Sequence, residues 1–103
     1  MVHGVIEVRQ TAVFAKWFVS LKDARAKARI QIRIDRVELG NPGDVKFFSG
    51  IGELRIDYGP GYRVYFVKRG NTIVILLCGG DKATQQRDVR QAIEMAQELD
   101  RCH

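Results

Sequence analysis

Histidine is nearly absent from this sequence, and its scarcity argues against several kinds of chemistry. The two histidines, His3 and His103, lie at opposite ends of the chain, which weakens any Ser–His or Cys–His scheme and any histidine metal cluster. The two cysteines, Cys78 and Cys102, lack metal-ligand spacing and are interpreted as a buried thiol and a surface thiol. Gly79–Lys82 does not have the spacing of a phosphate-binding P-loop.

Long apolar runs are also missing. No run is long enough to span a bilayer, and the N-terminus is not a signal peptide, so we expect a soluble, cytoplasmic protein without a membrane partner. A length of 103 residues and a hydrophobic content of 46% predict one domain, residues 1–103, with a modest core. The net charge of +5 favours an anionic partner, either nucleic acid or an acidic protein.

The stretch 53–82 predicts three consecutive antiparallel strands, because β-branched and aromatic runs alternate with glycine-containing turns. With the first turn centred on Pro60, the expected cross-strand pairs are Arg55 with Tyr65 and Asp57 with Arg63. With Gly70-Asn71 as a two-residue loop, the expected pairs are Arg69 with Thr72, Tyr65 with Leu76, and Arg63 with Cys78.

Alternation along these strands predicts one apolar face, which should be the core. It consists of Leu54, Ile56, Tyr58, Tyr62, Val64, Phe66, Ile73, Ile75 and Leu77. The other face is charged at one end and apolar at the other, so another element should cover part of it. It consists of Glu53, Arg55, Asp57, Arg63, Tyr65, Val74, Leu76 and Cys78. Because Lys82 follows the last strand, we infer a cationic patch of Arg55, Arg63 and Lys82, provided that the register is correct.

The remaining elements are a strand over Val5–Gln10, a helix over Ala12–Leu21 capped by Thr11, a helix over Lys22–Leu39, and a last helix from a Thr84 cap to about Leu99. The first helix should bury Val13 and Trp17, with Phe14 as a further candidate. The second should bury Ala26, Ile30, Ile34 and Val37, and the last Val89, Ala92, Ile93, Ala96 and Leu99. The first two helices should form a hairpin on the sheet. The segment VKFF, residues 45–48, is a short strand or an extended segment.

Arg25, Arg29, Arg33 and Arg36 form a second stripe on the longer helix. The pattern favours a solvated surface with acidic neighbours as partial partners. The alternative is an arginine face that holds a phosphate backbone. Lys46 is either a surface lysine or a member of the cationic patch, and the sequence leaves both open.

Fixed positive charges on a rigid sheet suit phosphodiester chemistry, since an RNA 2′-hydroxyl can attack its own neighbouring phosphate without a metal ion. Arg55 and Arg63 would bind phosphate, while Lys82 would add a point charge or act as acid or base. The alternative, which charge alone favours, is a set of structural contacts: Arg63 pairs with Asp57, Arg55 pairs with Glu53 or stacks on Tyr65, and Lys82 interacts with Asp81.

Three segments together carry a family resemblance: Glu53–Ile56, Gly61–Tyr65 and Leu77–Lys82. With the element order, they resemble the RelE/ParE superfamily of toxins from bacterial type II toxin–antitoxin systems, and within it the HigB-like "addiction module killer protein" group. The resemblance covers about residues 5–99. It implies an α+β, RelE-like fold, β-α-α-β-β-β-α, with a twisted, mainly antiparallel sheet, an N-terminal helical hairpin and a C-terminal helix.

The resemblance also implies a ribosome-dependent mRNA endonuclease that needs no metal and no cofactor and leaves a 2′,3′-cyclic phosphate and a 5′-hydroxyl. Arg63 matches the family's catalytic phosphate-binding arginine, Lys82 the basic residue after the last strand, and Arg55, only approximately, a basic pair. RNA contacts are expected from Lys46, Arg25, Arg29, Arg33 and Tyr65. Where RelE has a tyrosine on its final helix, this chain has no aromatic near Asp88.

The implied partners are mRNA on the ribosome and a cognate HigA-like helix-turn-helix antitoxin, through which alone operator DNA would be bound. Two alternatives stay open. One is a ParE-like toxin that acts on DNA gyrase without nuclease activity. The other is an inactive module that only binds its antitoxin.

Overall fold

The computed structural model of the protein describes residues 6–101. The strands are β1 (Glu7–Gln10), β2 (Val45–Phe48), β3 (Ile51–Ile56), β4 (Tyr62–Arg69) and β5 (Ile73–Gly80). The helices are α1 (Ala12–Ser20), α2 (Ala24–Glu38) and α3 (Gln85–Arg101), with a 3-10 turn at Lys82–Thr84. The segment VKFF is strand β2, so four strands rather than three follow α2. The predictions for His3, Val5, Cys102 and His103 lie outside the described residues.

The five strands form one mixed sheet in the order β1-β5-β4-β3-β2. Strand β1 is parallel to β5, and the other pairs are antiparallel. This is the predicted α+β, RelE-like architecture. Helices α1 and α2 lie on one face of the sheet and α3 lies on the other. No helix among residues 6–101 is both long and apolar enough to cross a membrane.

The caps explain where the helices begin. The Thr11 side chain accepts a hydrogen bond from Phe14 N, as predicted for the cap of α1. Helix α2 begins at Ala24 rather than Lys22, because the Asp23 side chain accepts from the amides of Arg25 and Ala26. The cap before α3 is Asp81, not Thr84; the two residues form a capping box around the 3-10 turn.

The apolar stripes of α2 and α3 are confirmed. Ala26, Ile30, Ile34 and Val37 are buried, while on α3 Ala92 and Ala96 are buried and Val89, Ile93 and Leu99 pack partly buried beside them. The prediction for α1 was wrong in one residue. Val13 is 41% exposed, whereas Phe14 is 1% exposed and is the anchor of this helix in the core. Trp17 packs against the same core.

The β3–β4 register differs from the prediction by two residues. Arg55 lies opposite Arg63, and Glu53 opposite Tyr65. The strands stop at Ile56 and resume at Tyr62, so the connection is longer than a turn centred on Pro60. A shift of two residues keeps every side chain on its predicted face.

The β4–β5 register differs twice. The loop has three residues, so Arg69 pairs with Ile73 rather than Thr72. A bulge between Tyr65 and Phe66 then adds a second shift, which places Tyr65 opposite Cys78. Arg63 consequently lies opposite Gly80 instead of Cys78.

The first shift reverses the predicted faces of the residues near the start of β5. Val74 and Leu76 belong to the core under α1 and α2. Ile75 and Leu77, predicted for that core, pack under α3 instead. The second shift restores the predicted face at the Arg63 end, and Cys78 lies under α3 as expected. Helix α3 is therefore the element that covers the second face.

Candidate functional site

An open hollow of about 370 Å³ lies at the end of strands β3 and β4, where the chain turns from one to the other. We call it the cationic hollow. Its lining residues are Asp44, Arg55, Ile56, Asp57, Gly59, Pro60, Gly61, Arg63 and Lys82. The three residues predicted as catalytic, Arg55, Arg63 and Lys82, thus line one hollow.

Arg63 is the most enclosed cation of the hollow, with 7% of its surface exposed. Its Nη1 donates to the carbonyl oxygens of Gly61 and Tyr62, at 3.1 and 3.2 Å. Its Nε is buried and has no hydrogen-bond partner among the described residues. A buried charge without a counter-charge in contact is costly, and an anionic ligand would offset that cost.

The turn beside Arg63 holds the hollow open. Gly61 has φ +78°, a conformation that residues with a side chain rarely adopt. Its amide donates to Tyr58 O at 3.0 Å, and Lys82 N donates to Pro60 O at 3.4 Å. One main-chain hydrogen bond therefore joins this turn to the 3-10 turn after β5, and it brings Lys82 next to the strand that carries Arg63.

The ion pairs considered as the structural alternative are not formed among residues 6–101. No carboxylate lies within ion-pair distance of Arg55, Arg63 or Lys82 in that part of the chain. Arg55 and Lys82 are exposed. The cations of the hollow are therefore not neutralised by contact with a carboxylate of the described chain.

Beneath α3, next to the hollow, lies a row of buried polar side chains. Glu53 accepts a hydrogen bond from Gln85 Nε2 at 2.7 Å. Asp88 accepts from the Thr84 hydroxyl and, at 3.4 Å, from Arg87. Burial, reinforced by the Glu53 carboxylate, raises the pKa of the Tyr65 hydroxyl far above its usual range.

Tyr65, predicted as an RNA contact, requires a correction. Its exposed fraction is 0%, and it packs in the cluster under α3. Its face was predicted correctly, but that face is covered here by Ala92 and Ala96 of the helix. Tyr65 therefore cannot touch RNA in this structure, and its contribution is to the packing beneath the site.

Two adjacent glycines let helices approach β5 from both sides. A Cβ on Gly79 would overlap the ring of Trp17 on α1, and a Cβ on Gly80 would overlap the Asp88 carboxylate on α3. Because Gly80 lies opposite Arg63, the second approach also fixes the position of α3 relative to the site.

The other candidate RNA contacts lie in different places. Arg25 is exposed on α2, Lys46 is exposed on β2, and the guanidinium of Arg29 lies 4.7 Å from the centre of the Tyr58 ring. A second hollow of about 230 Å³, the arginine hollow, is formed by Arg29, Ile32, Arg33, Arg36, Ile56 and Asp57. It adjoins the cationic hollow, since Ile56 and Asp57 line both.

The guanidinium of Arg33 donates its hydrogen bonds to main-chain carbonyls. Its Nη2 donates to Pro42 O at 2.7 Å and to Asp44 O at 2.9 Å, and its Nη1 donates to Arg55 O. Burial lowers the pKa of this guanidinium, while the nearby Asp44 carboxylate opposes that shift. Arg33 therefore joins α2 to the strands that carry the hollow, and its bonds leave little of it for RNA.

The matches to known proteins cover the whole of this site. Residues 16–100 match the phage-derived protein Gp49-like family (DUF891). The chain belongs to this family. A Haemophilus influenzae protein of uncharacterized function is 53% identical over 95 residues, which are 91% of this chain and 96% of the relative. The Gp49-like family is RelE-like and associated with toxin–antitoxin systems, so the chain is a toxin-like protein.

Sequence reasoning missed two residues of this Gp49-like protein, the buried carboxylates of Glu53 and Asp88. For Asp88 a signal was present, because it precedes the buried Ala92 and Ala96 at intervals of four residues on one helix face. For Glu53 only its position opposite Tyr65 could have helped, and that pairing depended on a turn length that the sequence did not fix.

The side chains of the Gp49-like site define what it can do. Two exposed cations and one buried arginine can bind and orient a phosphate and stabilise negative charge that develops on it. Among residues 6–101, no group of three or more His, Cys, Asp or Glu side chains could hold a metal ion. Asp44 and Asp57 are the acidic residues of the lining of the cationic hollow.

Proposed function

We propose that this protein is the toxin of a type II toxin–antitoxin system, HigB-like, and that it is a metal-independent mRNA endonuclease acting on the ribosome. The observation that carries the proposal is the position of Arg63. It is almost wholly buried, has an unused Nε donor, and lines one hollow with Arg55 and Lys82. Such a set of unpaired cations suits a phosphate ligand.

In this proposal the scissile phosphate of RNA occupies the cationic hollow. Arg63 and Arg55 bind its non-bridging oxygens and hold the nucleotide for in-line attack. Since Arg63 is fixed by two carbonyls, little reorganisation would be needed when charge develops on the pentavalent phosphorus. The 2′-oxygen bonds to phosphorus and the bond to the 5′-oxygen breaks, which leaves a 2′,3′-cyclic phosphate and a 5′-hydroxyl.

The proposed RNA path extends beyond the hollow to Lys46 on β2 and to Arg25 and Arg29 on α2, which are exposed. Phosphate contacts of this kind position a strand without reading its sequence. The substrate would be mRNA held by the ribosome, and the protein would work in the cytoplasm. A cognate HigA-like helix-turn-helix antitoxin would cover the basic surface, and operator DNA would be bound only through the complex.

A ParE-like toxin acting on DNA gyrase is the second candidate, and Asp88 is the observation that favours it. At the place where RelE has a tyrosine, this chain has a carboxylate buried against Thr84 and Gly80. Proton transfer by an aromatic side chain of α3 at this point is therefore not available, although other groups of the hollow could perform it.

The experiment is induction of the protein without its antitoxin in a bacterial host, followed by mapping of new mRNA 5′ ends. We expect 5′-hydroxyl ends inside translated frames. Arg63→Ala should lower cleavage by about 10²–10³-fold, because it removes a principal stabiliser of the developing charge. The control is Arg90→Ala, which removes an exposed arginine of α3.

Growth arrest with intact mRNA and damaged DNA would contradict the nuclease proposal and support the gyrase-type toxin. Absence of arrest would indicate an inactive antitoxin-binding module. Arg63→Ala must keep the wild-type circular dichroism spectrum and melting behaviour, so that lost cleavage is not lost folding. A folded Arg63→Ala variant with full cleavage activity would remove Arg63 from the site.

A further inference from the structure

Asp57 has an unusual position for a carboxylate. It lines both the cationic hollow and the arginine hollow, directly after the end of β3. Its side chain makes no hydrogen bond and no ion pair with any residue of the described range 6–101, despite its cationic surroundings. The residue is exposed and belongs to the lining of both hollows.

Cleavage by an RNA 2′-hydroxyl needs a group that takes the hydroxyl proton, because the neutral hydroxyl is a weak nucleophile. Arginine and protonated lysine have no acceptor, and the glycine, proline and isoleucine of the cationic hollow have no side chain that titrates. Its lining therefore offers two proton acceptors, Asp44 and Asp57.

The two aspartates differ in the contacts that they make with the rest of the protein. The carbonyl of Asp44 accepts from Arg33 at 2.9 Å and from Arg55 N at 3.0 Å, and its carboxylate is attracted to Arg33. Through its main-chain carbonyl Asp44 thus takes part in the join between α2 and the sheet, and its carboxylate, which makes no ion pair among residues 6–101, lies near the Arg33 guanidinium of that join. Asp57 has no comparable partner in the part of the chain that the structure describes.

We propose that Asp57 is the proton acceptor of the cleavage reaction, an inference that rests on the proposed endonuclease function. Its carboxylate takes the proton of the 2′-hydroxyl as the 2′-oxygen bonds to phosphorus. The bond from phosphorus to the 5′-oxygen breaks, and the Lys82 ammonium gives that oxygen a proton. The cyclic phosphate and the 5′-hydroxyl then leave, and solvent returns both side chains to their starting protonation states.

The role has a signature that distinguishes it from binding. A carboxylate beside a phosphate repels it, so Asp57 weakens substrate binding while it assists the reaction. The charged groups that face it are Asp44, Arg55, Arg63 and Lys82 in the cationic hollow, and Arg29, Arg33 and Arg36 in the arginine hollow. Removing its charge should therefore slow cleavage without weakening binding, which the loss of a structural residue would not do.

The test is a single-turnover assay of mRNA cleavage on translating ribosomes, beside a binding assay with an RNA oligonucleotide that carries 2′-deoxyribose and cannot cyclise. For Asp57→Asn we expect cleavage to fall by about 10²–10⁴-fold, with binding of the deoxy-substituted oligonucleotide unchanged or tighter. Asp57→Glu should recover part of the rate.

Two controls match the substitution. Asp35→Asn removes an exposed carboxylate of α2 that pairs with Gln31 and lines neither hollow, and it should leave cleavage unchanged. Asp44→Asn removes the other carboxylate of the cationic hollow and should reduce cleavage less than Asp57→Asn. A melting curve checks that each variant is folded.

Full cleavage by folded Asp57→Asn, or a larger loss in Asp44→Asn than in Asp57→Asn, would overturn the proposal. Equal losses of binding and cleavage in Asp57→Asn would overturn it too, because they would make Asp57 a binding or structural residue. If the wild-type protein itself does not cleave, the endonuclease function fails and this inference fails with it. That outcome differs from one in which both the wild type and Asp57→Asn cleave mRNA, which would refute the role of Asp57 and leave the endonuclease function intact.

Discussion

The two faces of the sheet are packed with different kinds of side chain. Beneath α1 and α2 lies an apolar cluster anchored by Phe14, Leu54 and Phe66. Beneath α3 an apolar cluster is interleaved with the buried polar side chains of Glu53 and Asp88. The first arrangement stabilises without dictating orientation in detail, whereas hydrogen-bonded polar groups fix the geometry around them. The face with the polar row is also the face that adjoins Arg63, so rigidity is concentrated where the site needs it.

The largest effect that separates the faces is expected from Phe66→Ala. Phe66 is buried against Gly52 on the neighbouring strand, and its removal leaves a cavity in the α1–α2 core. We expect a loss of about 3–5 kcal/mol in the free energy of unfolding, measured by urea denaturation. Below its melting temperature, the variant should still bind an RNA oligonucleotide with near-normal affinity.

Phe47→Ala is the matched control for that change. Phe47 is 58% exposed and touches Phe66 edge-on, with ring centres 5.8 Å apart. Its truncation should cost clearly less. Lost RNA binding in folded Phe66→Ala would mean that the two faces are not separable.

Gly79→Ala and Gly80→Ala sharpen the comparison, because each adds one methyl group to β5 and the two methyl groups lie on opposite faces of the sheet. Each new methyl group would overlap a packed side chain, Trp17 or Asp88 respectively, at an expected cost of about 1–3 kcal/mol. Only Gly80→Ala should also weaken RNA binding, since it displaces α3 beside Arg63. Thermal melting and an RNA-binding titration measure both quantities. Equal binding losses in the two variants would contradict the assignment of the site to one face.

The smallest effect is expected at alkaline pH and concerns the α3 face alone. Burial, helped by the Asp88 carboxylate, raises the pKa of the Cys78 thiol to about 12, and burial with Glu53 raises that of Tyr65 still further. In the unfolded chain these groups lose their protons near pH 8.5 and pH 10. Their contribution to stability is therefore complete below those values and declines as pH rises toward the folded-state pKa.

We expect the free energy of unfolding to fall by up to about 1.4 kcal/mol per pH unit for each group that titrates only in the unfolded chain. Urea denaturation between pH 8 and pH 10.5 gives the slope. Cys78→Ala should flatten it from about pH 9, and Tyr65→Phe from about pH 10. Identical slopes in wild type and both variants would show that these side chains do not carry the effect.

The sequence was sufficient for the order of the elements other than strand β2, for the apolar stripes of α2 and α3, and for the grouping of Arg55, Arg63 and Lys82, but not for the register. Gly70-Asn71 correctly indicated a turn, yet Thr72 joins the loop and nothing in the residues marks the bulge at Tyr65. Alternation could not reveal the first error, because both faces of β5 are buried and both are apolar. The bulge restores the predicted face of β5 where that strand lies opposite Arg63, so the cationic patch was predicted correctly from a register that was wrong.

Burial of polar side chains was the other limit. Periodicity identifies apolar residues, so it does not indicate that Glu53, Tyr65 and Asp88 are buried beneath α3. Arg33 was equally inconspicuous, since four arginines at similar spacing look alike and only the fold shows which one meets main-chain carbonyls. The surroundings of each of these polar residues depend on segments that are distant in the chain. A single sequence does not show which distant segments come together.

The bonding of Arg33 has a consequence for the behaviour of the protein in salt. Its partners are carbonyl dipoles rather than charges, so added electrolyte weakens its bonds little. Arg55, Lys82 and Arg29 attract a polyanion through solvent, and that attraction declines steeply as counterions compete. Ionic strength therefore affects the basic side chains proposed to bind nucleic acid much more than it affects Arg33. Added salt weakens the binding of nucleic acid. The hydrogen bonds by which Arg33 joins α2 to the sheet remain, and the hollow keeps its shape.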